Sequence, residues 1–525
     1  MLVGDIVRRN ARYFADCDAV VVPGGVTRSW AELDIRTNRF ANALLGLGLT
    51  RGDRVAIFAP NCVEYFEFFF GCAKSGVVGA PTNVRLAPYE ITAYYSYVTP
   101  RAILVHADLA EEARRWLSDV PGAEWVVGFG GDHGFDLDLE RLIGAAAPED
   151  PAVALDEDDT YMLGPTSGTT GIPKATILTH RNAISAMLNW LAEMPMPERG
   201  TALQNIPYFF NPGGPAGIHP VLLKGGRTVV YGGFTPRAFL EAVQEYGVTN
   251  TVAVPTMVQM IVAEPDCESF DLSSLKGVFS GGSPWNAPLF RRAREVLGDV
   301  IYPLYGMAES YSCGLTLRPE SIVLDGTPEQ QKQVTSAGKP HVLMQLRVAG
   351  VDGEEVPHDG ETAGEIWMAG PTISPGYYEM PDETAVSREG EWFRTGDLAV
   401  VDTDGFVTIV DRLKDMIITG GINVFSIEVE RALLQHPEVD QVAVIGLPHQ
   451  TWGEAIHAVV CRVEGSTLTE AALVEFAGER LAGFKKPRSI EFVDALPVSA
   501  TGKILKKVVR AERLGADAGS PLPAS

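Results

Sequence analysis

The sequence predicts an α/β protein: a large N-terminal domain with sheets built from βαβ units and a small β-rich subdomain, then a smaller α+β C-terminal domain. Three observations predict it. Short apolar strands alternate with helical segments from the N-terminus to about residue 325, and such alternation implies parallel βαβ units. Residues 340–410 become rich in Gly, Pro and β-branched residues, with short alternating runs. After Asp411-Arg412-Leu413-Lys414-Asp415 the pattern shifts again, into a mixed unit ending near residue 515.

Taken in order, Ser29 is a candidate N-cap for a helix on which Leu33, Phe40, Leu44 and Leu47 fall near one face. Arg54–Phe58 reads as a strand, Glu64–Lys74 as a helix, and 77–80 and 102–105 as further strands. The aromatics Phe66, Phe68, Phe69 and Phe70 are core candidates. Pro236–Tyr246 reads as a helix and 251–254 as a buried strand, with Pro255 suited to a first helical turn. Gly277-Val278-Phe279-Ser280 is a strand stopped by Gly281-Gly282. Segments 346–348 and 365–368 are strands of the β-rich subdomain. In the last unit Ser426 is a candidate N-cap, 441–446 a strand, and 468 to about 481 a helix. The Gly-, Ala-, Pro- and Ser-rich tail, 516–525, is expected to be disordered.

The chain has 525 residues, 46% hydrophobic, with a net charge of −24. That length suggests two or more domains. So acidic a chain is a poor general binder of nucleic acid or anionic membrane, so any phosphate ligand must be held by a local site. Cys17, Cys62, Cys72, Cys267, Cys313 and Cys461 are scattered without a Cys-x-x-Cys pair. This suggests free buried thiols in a reducing compartment and no metal cluster. The N-terminus lacks the pattern of a signal peptide, and the apolar stretch 66–80 is too interrupted to span a bilayer. A cytoplasmic protein without a transmembrane segment is expected.

Thr166-Ser167-Gly168-Thr169-Thr170-Gly171-Ile172-Pro173-Lys174 lies between two strand-like pieces, 161–164 and 175–179. Glycines let backbone N–H groups turn towards an anion, hydroxyls add donors, and Lys174 supplies a compact charge. The loop suits a phosphate cradle, though an ordinary polar hairpin would carry similar residues. It is not a Walker loop, since Gly-x-x-x-x-Gly-Lys-Ser/Thr is absent. In Tyr305-Gly306-Met307-Ala308-Glu309, a tyrosine beside a glycine can lay its ring on a purine, and Glu309 offers a hard oxygen to Mg²⁺. Gly281-Gly282-Ser283 ends a strand where α/β folds bind nucleotides.

Together with Arg394-Thr395-Gly396-Asp397, the 411–417 run, Gly420-Gly421-Ile422-Asn423 and Pro497–Leu505, these motifs resemble the adenylate-forming superfamily, and within it the AMP-forming acyl-CoA synthetases. The resemblance spans roughly residues 30–510. It implies ATP and coenzyme A as cosubstrates and Mg²⁺ as the metal, with acyl-adenylate formed first and acyl-CoA second. It implies Lys503, Glu309 and Lys174 as catalytic. The ATP set is Thr166–Gly171, Lys174, Gly281, Gly282, Ser283, Tyr305, Gly306, Asp397 on the ribose, Arg412 and Lys503. Glu309 and Thr166 serve the metal. A mobile C-terminal domain, 417–515, would pivot at 412–416 on Lys414, against an N-terminal domain of 1–411. Gly421 would border the pantetheine passage. Trp452, Phe484, Lys486 and Arg488 match a coenzyme A surface, with core aromatics and a basic rim as the equal alternative. Ala308 departs from the hydroxyl residue common in the family, which puts one α-phosphate contact in doubt.

Phe209, Phe210, Asn211, Gly214, Met257 and Gly281 are the acyl-pocket candidates. Asn211 stands where amino-acid-activating relatives keep an aspartate, which argues against an amino acid. Phe210 replaces a histidine common in acyl-CoA synthetases, and Gly213 and Gly214 leave room. A hydrophobic carboxylate fits, fatty, alicyclic or aryl; Asn211 could equally bond a ring hydroxyl, as in activation of hydroxybenzoates. Loading of a carrier protein, a luciferase-like oxygenase and a non-catalytic nucleotide-binding relative are the other classes. A homodimer stays open.

Overall fold

The structure is a computed structural model that describes residues 1–166, 173–210, 215–282, 285–420, 422–498 and 504–515, with the side chains of 215–218 left aside. The expected tail at 516–525 lies outside the described residues.

The alternation near the N-terminus builds a seven-stranded sheet. Its spatial order is Leu137–Asp138, Trp125–Phe129, Ala102–His106, Arg54–Phe58, Val78–Pro81, Thr160–Pro165, Ala175–Thr179. Every pairing is parallel except the last, an antiparallel hairpin with Pro165 opposite Ala175. A nine-stranded sheet has the order Lys339–Pro340, Gly314–Thr316, Ile301–Gly306, Gly277–Gly281, Asn250–Val252, Thr201–Gln204, Arg227–Val230, Asp18–Val21, Thr27–Ser29. Its pairings from Ile301–Gly306 through to Asp18–Val21 are parallel.

Helices form where the sequence places caps. Ser29 accepts from the backbone N–H of Glu32, whose carboxylate accepts in return from Ser29 N. In the helix Trp30–Gly46, Leu33, Phe40 and Leu44 are buried; Leu47 lies just past the helix and is half-buried, and Leu49 takes the core position. The neighbouring helix Glu64–Ser75 needs Gly71, because a Cβ there would run into the Phe40 ring. Phe66, Phe68, Phe69 and Phe70 are all core. Pro255 opens the helix Pro255–Ala263, as expected, although the strand before it is shorter, Asn250–Val252.

Residues 345–412 supply a five-stranded sheet in the order Gln345–Ala349, Gly364–Ala369, Trp392–Val401, Arg388–Glu389, with Val407–Arg412 beside Trp392–Val401. A further five-stranded sheet runs Ile422–Val424, Ile417–Thr419, Gly453–Arg462, Val439–His449, with Ser489–Val493 parallel to Gly453–Arg462. The strand expected at 441–446 thus extends to Val439–His449. The helix expected at 468–481 contracts to Glu470–Gly478, because Thr469 caps it by accepting from Ala472 N.

Chain contacts divide the protein into two units. Of the described residues, the first comprises those in 1–166, 173–346 and 368–393, and the second those in 347–367 and 394–515. Phe58, Tyr94, Tyr95 and Trp116 lie in one core cluster of the first unit, and Ile417, Val424, Leu433, Val444, Val460 and Leu473 in one of the second. All six cysteines are free thiols; Cys72, Cys267, Cys313 and Cys461 are buried as expected, whereas Cys17 and Cys62 are half-buried. Among the described residues no helix is long and apolar enough to cross a membrane.

His219 is fully buried, stacked on Phe70 (centroids 5.2 Å apart) and edge-on to Phe69 (5.6 Å), and neither ring nitrogen has a hydrogen-bond partner among the described atoms. Burial lowers its pKa from 6.5 to about 3. The native state therefore excludes a proton that the unfolded chain accepts below pH 6.5. This contribution to stability is complete above that pH and is lost as pH falls towards 3. His219→Leu should reduce the stability lost between pH 7 and pH 5.5 by about 1 kcal/mol, read from urea unfolding at the two pH values.

Candidate active site

In the first unit the functional segments leave one edge of the nine-stranded sheet. Strands ending at Gly306, Gly281, Val252 and Gln204 are consecutive parallel neighbours. Their C-terminal ends lead into Met307–Ser310, Gly282, Met257 and Tyr208–Phe210 respectively. Ligands bind at this edge in open α/β sheets because every parallel strand delivers its loop to the same side. Tyr305 and Gly306 are thereby brought to the same edge as Gly281, Phe209, Phe210 and Met257. Ser283, Asn211 and Gly214 lie outside the described residues.

The glycines have structural reasons of their own. A Cβ on Gly306 would sit 2.5 Å from the Ser312 carbonyl oxygen, and one on Gly281 2.8–2.9 Å from Leu304. Gly282 has φ +92°, which a side chain tolerates poorly. Phe209 and Met257 are buried, and Phe210 is half-buried with its ring edge-on to Phe209 at 4.5 Å. Tyr208 turns away into the core and stacks on Tyr65 at 4.9 Å.

The two ends of the hydroxyl-rich motif are held together in the hairpin Thr160–Pro165/Ala175–Thr179. Thr166 N donates to Lys174 O (2.8 Å), and Lys174 N to Thr166 Oγ1 (3.3 Å). Ser167, Gly168, Thr169, Thr170 and Gly171 lie outside the described residues. Lys174 Nζ sits 4.6 Å from the centroid of the Tyr377 ring. Glu309 lies in a one-turn helix, Ala308–Ser310, and is only 8% exposed; its Oε1 accepts from the Tyr377 hydroxyl at 2.6 Å. Tyr311 and Ser312 follow with φ +54° and +61°. Two successive non-glycine residues in the left-handed region are a local strain of the kind found beside binding sites.

In the second unit the strand Trp392–Val401 sets Asp397 opposite Arg412 on Val407–Arg412. Arg412 Nε lies 3.1 Å from Asp397 Oδ1, and Asp397 is 6% exposed. Gly396, at φ +71° within this strand, donates its N–H to Glu365, and its carbonyl accepts from Leu413 N. Lys414 is exposed in the turn that follows. Trp452 and Phe484 are 42% and 40% exposed, which rules out the core-aromatic reading. Arg488 lies 5.3 Å from the Trp452 ring centroid. Lys486 is half-buried beside Gly478, while its neighbour Lys485 pairs with Glu428 at 2.6 Å. Gly421 and Lys503 lie outside the described residues.

Sequence reasoning missed two constellations. Ser426, read as an N-cap, makes no cap bond; the cap residue is Phe425. Ser426 instead donates through both N–H and Oγ to the buried Asp411, and Lys506 Nζ donates to Ser426 Oγ (2.7 Å) and pairs with Glu430 (2.7 Å). Burial raises the pKa of both Asp411 and Glu430, against the pull of Lys506. The second constellation is the segment Ser374–Tyr378 around Glu309. Nothing in periodicity marks either one; only the presence of Asp411 inside a motif hinted at the first.

The donors fit a magnesium-bound nucleotide. Glu309 and Thr166 offer hard oxygens, which suit Mg²⁺. Among the described residues no group of three or more His, Cys, Asp or Glu could build a cage of its own. A metal there would keep most of its ligands as phosphate oxygens and water.

A parallel-sheet edge carrying a tyrosine–glycine strand end followed by a buried acid suits a nucleotide-using α/β enzyme. The chain belongs to the AMP-binding enzyme family: the family profile matches residues 7–378, and that of the AMP-binding enzyme C-terminal domain matches 428–503. It is 39% identical over 493 residues to a feruloyl-CoA synthase from an Amycolatopsis species, covering 93% of this chain and 94% of that protein. It is 33% identical to the long-chain-fatty-acid–CoA ligase FadD13 of Mycobacterium tuberculosis, covering 97% and 98%. The crystal structure of ATP-bound MatB from Rhodopseudomonas palustris superposes with a TM-score of 0.85 at 27% identity, covering 98% and 99%.

Lys506→Met would leave Glu430 and Asp411 buried without their cation, a loss of about 3–5 kcal/mol. Lys506→Met combined with Glu430→Met should recover part of it, because no unpaired charge remains at that position. Guanidinium unfolding of the three proteins measures this.

Proposed function

We propose that this chain joins a hydrophobic carboxylic acid, aryl, alicyclic or fatty, to ATP as an acyl-adenylate and then passes the acyl group to coenzyme A. The observation that carries the reading is the sheet edge that brings the apolar segments of Phe209, Phe210 and Met257 to the same side as Tyr305. The relatives support it by name, since one acts on an aromatic acid and another on long-chain fatty acids.

In the first step a carboxylate oxygen attacks the α-phosphorus. A new P–O bond forms, the bond to the β-phosphate oxygen breaks, and pyrophosphate leaves with its electron pair. Lys503 and Lys174 stabilise the charge that builds on the phosphoryl oxygens, and Asp397 and Arg412 hold the ribose. Mg²⁺, when bound through Glu309 and Thr166, supplies further charge neutralisation at the phosphates. In the second step the coenzyme A thiol gives up its proton and its sulfur attacks the acyl carbonyl; a C–S bond forms, the C–O bond to the phosphate breaks, and AMP leaves with that electron pair. We assign residues 1–411 to acid and ATP binding, 412–416 to a pivot on Lys414, and 417–515 to the part that presents Lys503 for the first step and Gly421 for the second. Trp452, Phe484, Lys486 and Arg488 are assigned to the coenzyme A nucleotide, where exposed rings can stack and cations can meet phosphate.

A pyrophosphate-release screen across acids of graded length and aromaticity tests the substrate class. Aryl and fatty acids should give turnover and free α-amino acids none; turnover of an amino acid with none of the hydrophobic acids overturns the assignment. Product analysis with coenzyme A as the only acceptor should show acyl-CoA. Its absence alongside normal pyrophosphate release would favour a carrier protein.

The division of steps makes its own prediction. Lys503→Ala should lower adenylation by roughly 10²–10³ and spare acyl-CoA formation from synthetic adenylate. Gly421→Leu should do the reverse. Equal damage to both steps in folded protein would refute the division.

A further inference from the structure

We propose that Tyr377 is a positioning residue for adenylation: its hydroxyl fixes the Glu309 carboxylate, its ring fixes the Lys174 ammonium, and the segment Ser374–Tyr378 ties both motifs into one rigid frame. This rests on the assignment of Glu309 and Lys174 to the ATP site.

The segment is a strap. On one side it runs along the strand Ala175–Thr179, which begins directly after Lys174. Ile177 N donates to Gly376 O (2.9 Å), Tyr378 N donates to Ala175 O (2.9 Å), and Tyr377 forms an antiparallel bridge with Thr176. Ser374 Oγ donates to Ile177 O at 2.7 Å. On the other side Ser374 N donates to the backbone carbonyl of Glu309 at 2.7 Å. The strap itself is held in place. Tyr377 N donates to Thr384 Oγ1 (2.9 Å), and the Arg388 guanidinium donates to Ser374 O. Gly376 has φ +152°, and a Cβ there would collide with Thr384. Two motifs separated by more than a hundred residues are therefore joined by one five-residue piece of backbone.

Tyr377 is the side chain of that piece that reaches both motifs. Its hydroxyl donates to Glu309 Oε1 at 2.6 Å, and its ring centroid lies 4.6 Å from Lys174 Nζ. A neutral phenol restrains a carboxylate without neutralising it, and a ring face restrains an ammonium without neutralising it. An acid or base in its place would restrain one group and repel or cancel the other. Glu309 and Lys174 thus keep their full charges at fixed positions, which is what electrostatic stabilisation of phosphoryl transfer requires.

The test compares Tyr377→Phe, which keeps the ring and removes the hydroxyl, with Tyr377→Leu, which removes both functions. Glu309→Gln and Lys174→Met are the controls. The primary readout is binding, measured as Mn²⁺·ATP affinity from the free Mn²⁺ electron paramagnetic resonance signal and as metal-free ATP affinity by calorimetry. Tyr377→Phe should weaken Mn²⁺·ATP roughly 10-fold, the order for a lost hydrogen bond to a charged group, and leave metal-free ATP within twofold. Tyr377→Leu should also weaken metal-free ATP, by roughly 3-fold or more, as Lys174 loses its ring. In the double variant Tyr377→Phe/Glu309→Gln the effects should fall clearly short of additive, since both act through one carboxylate. Thermal melts by circular dichroism confirm that each variant is folded. If Glu309→Gln weakens Mn²⁺·ATP while Tyr377→Phe does not, or if the two effects add in full, Tyr377 is not a positioning residue and the ATP site stands. If neither Glu309→Gln nor Lys174→Met alters nucleotide binding, the site assignment itself is wrong.

Discussion

In a parallel sheet every strand leaves by the same edge, and the site of this protein depends on that constraint. The strands ending at Gln204, Val252, Gly281 and Gly306 are neighbours, although the chain visits them across a hundred residues. Each ends in a segment that the next cannot displace, because the return path of each crossover runs by a helix on the sheet face. The apolar segments of Phe209, Phe210 and Met257 and the tyrosine–glycine segment therefore come to the same edge. The turn that leads from Gly306 back into Gly314–Thr316 then dictates glycine at 306, where a Cβ would run into the Ser312 backbone.

Charge imposes the second constraint. With a net charge of −24, this chain offers no general field for an anionic nucleotide, and its cations act locally. Several are already paired with acids: Arg412 with Asp397, Lys506 with Glu430, Lys485 with Glu428. Lys174 lies against an aromatic ring, a contact that orients an ammonium and leaves its charge available. The buried Asp411–Ser426–Lys506–Glu430 group works in the opposite sense. It neutralises its charges internally and ties the segment next to Arg412 to the helix Lys506–Arg513.

Much of the fold was legible because its determinants are local. The Ser29 capping box, the glycine stop after Gly277–Gly281 and the Pro255 helix start each depend on residues a few positions apart. Ser426 failed for an instructive reason. A serine before a helix with acids in its first turn has the signature of a cap, yet its hydroxyl bonds Asp411, 15 residues earlier in sequence. The local pattern was present and a distant partner overrode it. Trp452 and Phe484 were ambiguous because an aromatic side chain has the same hydropathy on a surface as in a core; only their exposure decides.

The sequence by itself determined the α/β class, the order of the motifs and the family, because periodicity, turn chemistry and motif spacing are written along the chain. Tertiary structure alone decided which of those residues meet. Asp397 faces Arg412 through a cross-strand register, and Glu309 receives the hydroxyl of Tyr377, 68 positions away, through a strap that no motif announced. Strand order and register follow from how faces bury against one another across the whole domain. The chain's local pattern fixes which face of a strand is apolar, and leaves open which neighbour will cover it.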